Sequence, residues 1–225
     1  MKFFDCKTAP SPRRVRIFIA EKGITVETIN VDLRSKEQLN PDFKSINPHC
    51  TVPVLELDDG TPLTTTAGIW RYLEAAYPDP ALMGETPKQR GIISDLQWHI
   101  EMNGFMAMAE FLRNSAPAMK GRALTGPHDY EQIPELADRG RLRVQRFLEE
   151  IDQIISTKSY VAGDQFSIAD IGLLVFIEFA AWRKLSLPER AVNAPRWYED
   201  VRARPSAQLL ILAGIPAEPR ALPFA

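Results

Sequence analysis

Asn47-Pro48-His49-Cys50-Thr51-Val52-Pro53-Val54-Leu55, followed by Asp58-Asp59-Gly60 and Leu63-Thr64-Thr65-Thr66, is the stretch on which the fold turns. The apolar run from Val52 asks for a strand, yet proline has no N–H to give to a ladder, so Pro53 belongs at the strand's first residue. The residue before a proline is held extended, which leaves the backbone N–H and C=O of Val52 to pair with something else. Asp59-Gly60 between apolar runs marks a hairpin. Beyond it, hydroxyl residues precede Ile69, Tyr72, Leu73 and Ala76 at helical spacing. The result is a β-β-α unit with an open backbone edge beside a helix N-terminus, and both features suit a small peptide-like anion.

Working outward, Lys2 to Phe4 reads as a short strand. Ser11-Pro12 opens a helix, with Ser11 as N-cap and Pro12 at the first helical position, where a missing N–H costs nothing. Val15, Phe18 and Ile19 give it an apolar stripe and Gly23 ends it. Val26 to Val31 alternates as a second strand, and a short helix spans Glu37 to Phe43. The order β-α-β-α-β-β-α implies a mixed sheet with helices packed against it. Pro78, Pro80, Gly84 and Pro87 then crowd into linker chemistry. From Lys88 on no strand pattern persuades. Helical patterns run from Lys88 to Asn114, Pro134 to Ser156, Ile168 to Trp182 and Pro195 to Arg204, with a shorter one near Leu209. Gly121 to Tyr130 reads as a polar loop. The expected fold class is α/β plus all-α: an α/β domain at residues 1–78, a linker at 79–87 and an all-helical domain at 88–225. In the latter, Ser167 and Asp170 resemble a capping box flanked by the staple pair Phe166 and Ile171.

Composition narrows the classes of function. With 225 residues the chain can bury a full core. Its 25% charged and 45% hydrophobic residues are ordinary for a globular protein. A net charge of −2 supplies no basic field for nucleic acid or an anionic membrane. No apolar run approaches a membrane span, and the amino terminus meets a charge too early for a signal peptide. Cys6 and Cys50 are too few for a disulfide framework. A reduced, cytoplasmic setting is expected.

Four elements in order carry a resemblance to the cytosolic glutathione transferase superfamily, of bacterial type. They are Arg14-Val15-Arg16-Ile17 with Ala20-Glu21-Lys22-Gly23, Asn47-Pro48 leading to Val52-Pro53-Val54-Leu55, the segment from Leu63-Thr64 to Tyr72-Leu73, and Ser167-Ile168-Ala169-Asp170. The resemblance implies a thioredoxin-like N-terminal domain, an all-helical C-terminal domain and a homodimer. It also implies a cis bond before Pro53, with the backbone of Val52 pairing to the cysteinyl unit of glutathione, the co-substrate. Thr65 and Thr66 match an acidic residue and a Ser that hold the γ-glutamyl end. Thr66 keeps the hydroxyl at a helix start, whereas Thr65 departs, having no carboxylate for the amino group. Gln38 falls near the position that serves the glycyl carboxylate. No metal is implied.

Glutathione chemistry needs a thiolate near neutral pH, which a hydrogen-bond donor at a helix N-terminus promotes. Relatives supply it from Tyr, Ser or Cys in the first loop, here Cys6-Lys7-Thr8-Ala9-Pro10-Ser11-Pro12, and Ala9 stands where many carry Ser or Thr. Ser11 is the best remaining hydroxyl and Thr8 the second; a backbone N–H of the loop is a third candidate, and Ser11 also reads as a plain N-cap. Cys6 reads as a buried inert thiol. Cys50 is the thiol open to a mixed disulfide with glutathione if exposed. Arg13, Arg14 and Arg16 read either as ordinary solvated charges or as an electropositive rim drawing in the tripeptide. For the electrophile, Trp98, Met102 and Phe105 fall on one helical stripe bordered by Met106, a face that is either core or the lining of an adaptable apolar pocket. His99, Glu101 and Glu110 form no catalytic pattern. The expected activity is conjugation of glutathione to small apolar electrophiles, with peroxide reduction as a companion. The rival is a noncatalytic transferase-like binding or regulatory protein.

Overall fold

A computed structural model describes residues 1–209 of the 225. The short helix expected near Leu209 lies at and beyond the last described residue. Strand β1 (Lys2–Asp5) sits inside a four-stranded sheet of order β2-β1-β3-β4, with β2 (Glu27–Asn30) parallel to it. β3 (Val54–Glu56) runs antiparallel to β1 with Phe4 opposite Val54, and β4 (Pro62–Leu63) runs antiparallel to β3 with Leu55 opposite Leu63. These directions bring three chain points to one end of the sheet. They are the exit of β1, the entry to β3 and the exit of β4.

Helix α1 (Pro10–Glu21) starts earlier than the sequence suggested. Ala9 is the N-cap, without a side-chain cap, and Ser11 lies inside the first turn. Pro10, with φ already set for a helix, takes the first helical position and displaces Ser11 from the cap. The expected helix over 37–43 is two pieces, a 3-10 turn (Glu37–Leu39) and α2 (Pro41–Ile46). Asn40 between them is extended, as the residue before a proline prefers. α3 (Thr66–Ala76) completes the unit and buries Ile69, Trp70 and Leu73 against α1.

The helical part begins with α4 (Pro87–His99), opened by a capping box of Thr86 and Gln89. The helix does not stop at His99. It passes through a π-helical segment (Ile100–Met106) into α5 (Ala107–Ser115). Two contacts hold that wider turn. Arg143 donates to the Met102 carbonyl at 2.6 Å, and Gly104 lies so close to α7 (Ile168–Trp182) that a Cβ there would sit 2.9 Å from the Phe176 ring. α7 is buried continuously from Ile168 to Ala180 and forms the axis of this domain. α6 (Pro134–Ile155) and α8 (Asn193–Arg202) pack beside it. The Ser167–Asp170 capping box forms as expected, and Asp170 also accepts from Val161 N–H and Trp197 Nε1, both at 2.8 Å. Burial nevertheless holds the Asp170 carboxyl above the usual carboxylate range. Among the described residues no helix is long and apolar enough to cross a membrane.

α1 joins the two halves. Arg13 pairs with Glu178 of α7 in full burial. Glu21 pairs with Arg204 at 2.6 Å. Lys22 donates to the carbonyls of Tyr77, Pro78 and Pro80 and pairs with Glu74 at 2.6 Å. The arginines at the start of α1 therefore form no electropositive rim and are not solvated surface charges. Arg13 and Arg14 are buried, Arg16 pairs with Asp5, and Arg14 pairs with Glu101 of the π segment.

Candidate active site

The loop that delivers Pro53 is built by one buried side chain. Asn47 Nδ2 donates to the Thr51 carbonyl at 2.8 Å and to Thr51 Oγ1 at 3.1 Å, while its Oδ1 accepts from His49 N–H at 3.0 Å. The chain turns at Cys50, whose φ is +53°, and the Val52–Pro53 bond is cis, as the resemblance implies. Val52 precedes β3, and neither its N–H nor its C=O takes part in a backbone hydrogen bond among the described residues. An open, extended dipeptide edge of this kind can pair with the backbone of a peptide ligand. Cys50 is only 3% exposed, its thiol turned to the Pro48 carbonyl at 3.6 Å, so the exposure that a mixed disulfide would need is absent. Cys6 is buried as expected, with Thr8 Oγ1 at 3.6 Å.

The same end of the sheet carries two helix starts. At α3 the exposed Thr65 is the N-cap, its Oγ1 accepting from Gly68 N–H at 3.0 Å, and the half-buried Thr66 is the first helical residue. Thr65 therefore has a capping duty besides any contact with a ligand. At α1 the tight turn is closed by Ala9 N–H donating to the Cys6 carbonyl at 3.0 Å. Pro10 and Pro12 have no N–H, and Arg13 N–H returns to the Ala9 carbonyl at 3.4 Å. Ser11 thus holds the one unpaired amide of this first turn among the described residues. A thiolate at this helix mouth meets far fewer donors than an ordinary helix would offer. Gln38 sits in the 3-10 turn, half-buried, with Oε1 buried and lacking a hydrogen bond among the described residues.

Of the three residues expected on an electrophile-facing stripe bordered by Met106, the π segment separates exposed Trp98 from buried Phe105. Its wider turn, with bonds running from residue i to i+5, breaks the α-helical spacing that aligned Trp98 with Met102 and Phe105. Phe105 is turned into the core against Phe176, with ring centroids 6.0 Å apart, and the Arg14 guanidinium lies 4.0 Å above its ring centroid. Trp98 is 60% exposed; Met106 is exposed and Met102 half-buried. The second domain also reaches the proline loop, since Gly126 approaches the His49 carbonyl. Sequence reasoning weighed Arg14 only as a solvated charge or a rim charge and saw no pattern in Glu101; it missed that the two pair beside Ser11. Arg14 is 3% exposed, pairs with Glu101, and donates from Nη2 to Ser11 Oγ at 3.1 Å.

A sheet domain with a cis-proline loop between two helix starts, fastened through α1 to an all-helical domain, defines the two-domain thioredoxin-like class. Residues 8–76 match the family model described as Glutathione S-transferase, N-terminal domain, and residues 107–205 match Glutathione S-transferase, C-terminal domain. Glutathione S-transferase 2 of Saccharomyces cerevisiae is 33% identical over 214 residues, covering 94% of this chain and 89% of the yeast protein. Among solved structures, Gtt2 from Saccharomyces cerevisiae superposes with a TM-score of 0.85 at 32% identity, covering 93% of this chain and 100% of that one. A glutathione S-transferase domain-containing protein from Marinobacter aquaeolei VT8 gives 0.84 at 32% identity, covering 92% and 100%. The chain belongs to the glutathione S-transferase family.

Proposed function

We propose that this chain is a glutathione transferase that binds glutathione on residues 1–78, beyond which a linker at 79–87 leads into the helical domain. It favours the thiolate and conjugates it to small apolar electrophiles in a detoxifying role. The observation that carries this reading is the extended Val52 backbone left unpaired among the described residues, at the sheet end that also holds the starts of α1 and α3. In this reading Val52 pairs with the cysteinyl backbone, Thr65 and Thr66 meet the γ-glutamyl end, and Gln38 serves the glycyl carboxylate. Ser11 supplies the donor to the sulfur, through its hydroxyl or its amide, with Thr8 second. Met102 and Met106 edge the electrophile pocket, Phe105 underlies it, and Trp98 stands at its outer face. The enzyme works as a cytoplasmic homodimer without a metal, and glutathione-dependent peroxide reduction draws on the same thiolate.

Purified protein tests this directly. Millimolar glutathione should raise the unfolding temperature by mass action on the native state, and a chloronitrobenzene-type electrophile should be conjugated. Light scattering should return twice the chain mass. Absence of any glutathione binding refutes the reading. A second reading, a noncatalytic binding module, is favoured by Ala9, an N-cap with no side-chain donor. Glutathione binding without turnover of any electrophile or peroxide would select it.

A further inference from the structure

We propose that Arg14 is a positioning residue for thiol activation: it takes a lone pair of Ser11 Oγ so that the hydroxyl proton is left for the glutathione sulfur. The proposal rests on the reading of Ser11 as hydroxyl donor. A serine hydroxyl has one proton and two lone pairs. Arg14 Nη2 fills one lone pair at 3.1 Å, and among the described residues no acceptor takes the proton. A hydroxyl that accepts from a cation is polarised into a better donor, and its rotation is confined. The thiol's own proton leaves to solvent and Ser11 keeps its proton, so no bond to Ser11 is made or broken.

Arg14 is held through both terminal nitrogens and by its stacking, while its buried Nε has no partner among the described residues. Its Nη1 pairs with Glu101, its plane lies 4.0 Å from the Phe105 ring centroid, and Trp70 is 5.9 Å away. Arg13 shows what a purely architectural arginine looks like here, since it is completely buried and spends both terminal nitrogens on Glu178 and the Ala207 carbonyl. Arg14 instead faces the catalytic loop, and its partner Glu101 has a side chain 36% exposed. The other charges nearby are turned elsewhere: Arg13 toward α7, Arg16 toward Asp5, and Lys7 to solvent. With Pro10 and Pro12 lacking N–H groups, the first turn offers only the Ser11 amide in place of a lost side-chain donor, among the described residues. Lysine cannot replace the fork, because a single ammonium lacks the planar geometry that serves Ser11 and Glu101 while stacking on Phe105.

The test measures turnover against pH and the thiol pKa of enzyme-bound glutathione, by thiolate absorbance, in wild type, Ser11→Ala, Arg14→Lys, Glu101→Ala and the two double variants with Ser11→Ala. Circular dichroism and thermal melts check the fold. Arg14→Lys should lower kcat at pH 6.5 about five- to tenfold and raise the bound thiol pKa, with KM for glutathione within about twofold. The deficit should shrink as pH rises. Glu101→Ala, on a half-exposed partner, should act in the same direction by about threefold, and carries the test if Arg14→Lys does not fold. Both effects should vanish when Ser11 is already alanine. Wild-type activity in Arg14→Lys, or a penalty that persists beside Ser11→Ala, overturns the proposal. So does a lowered thiol pKa in Glu101→Ala, the sign expected if Arg14 acted only as a charge freed of its partner. Full activity in the single Ser11→Ala variant would instead refute the hydroxyl reading itself, before Arg14 is touched.

Discussion

Gly104→Ala puts the π segment itself to the test. A Cβ at this position would stand 2.9 Å from Phe176 Cδ2, 3.1 Å from Phe176 Cγ and 3.2 Å from Phe147 Cε1, whereas ordinary contact begins at 3.4 Å. The closest contact is short by 3.4 − 2.9 = 0.5 Å. Phe176 cannot retreat, because its ring is packed between Phe105 at 6.0 Å and Phe147 at 5.3 Å. The π segment must therefore move away from α7, or three core rings must rearrange. Overpacking of this kind costs about 1–3 kcal/mol, and the better helix propensity of alanine returns up to about 1 kcal/mol. A net loss of about 1 kcal/mol lowers Tm by about 2–4 °C in a chain of this size. Thermal unfolding followed by circular dichroism reads it. Phe176→Leu in the same molecule should relieve the clash, leaving the double variant at least about 0.5 kcal/mol more stable than the two single losses add up to. Glu101 lies one turn before Gly104, so kcat should fall as Arg14 loses its seat. A Gly104→Ala protein as stable as wild type would refute the close-packing account of the π segment.

Thr65→Asp keeps an N-cap acceptor for Gly68 N–H and adds the carboxylate that the glutathione amino group would meet in the proposed site; steady-state kinetics should show a KM for glutathione several-fold lower with kcat little changed. Lys22→Met leaves three carbonyls and Glu74 without their shared cation, and should cost about 2–4 kcal/mol in urea unfolding and open the 77–86 segment to limited proteolysis. Glu21 is pushed up by burial, but bonds from Arg204 and Ser206 outweigh this and hold its carboxyl below the ordinary 4.5. A depressed carboxyl contributes stability above its unfolded pKa and loses it as pH falls through the folded one, so the deficit of Glu21→Gln should be full at pH 7 and fade below about pH 4.5.

Local chemistry was legible where partners are near in sequence. Pro53 marked the entry to a strand, which begins one residue later at Val54, Asp59-Gly60 named its hairpin, and Ser167 with Asp170 its capping box. What stayed hidden depends on distant chain. Arg13 and Arg14 look misplaced beside the positive end of a helix dipole, and only partners 165 and 87 residues away explain them. The π segment hides for the same reason, because Arg143 and Phe176 stabilise a wider turn that no spacing within residues 88–114 records. At Ser11 the miss was local. Two prolines compete for the helix start, and the earlier one wins.

Helix α1 also bears on how such a chain can be inherited. Arg13, Arg14 and Glu21 each close an ion pair in the second domain, and Lys22 holds the segment between the domains. Splicing the first domain onto a relative's helical half would bury Arg13 against whatever residue stands at position 178, and breaking such a buried pair costs about 3–5 kcal/mol. Recombination at the linker is therefore penalised even though the halves look separable along the chain. The heritable module is α1 together with the helices that answer its charges, and a successful chimera would have to carry Glu101, Glu178 and Arg204 across with it.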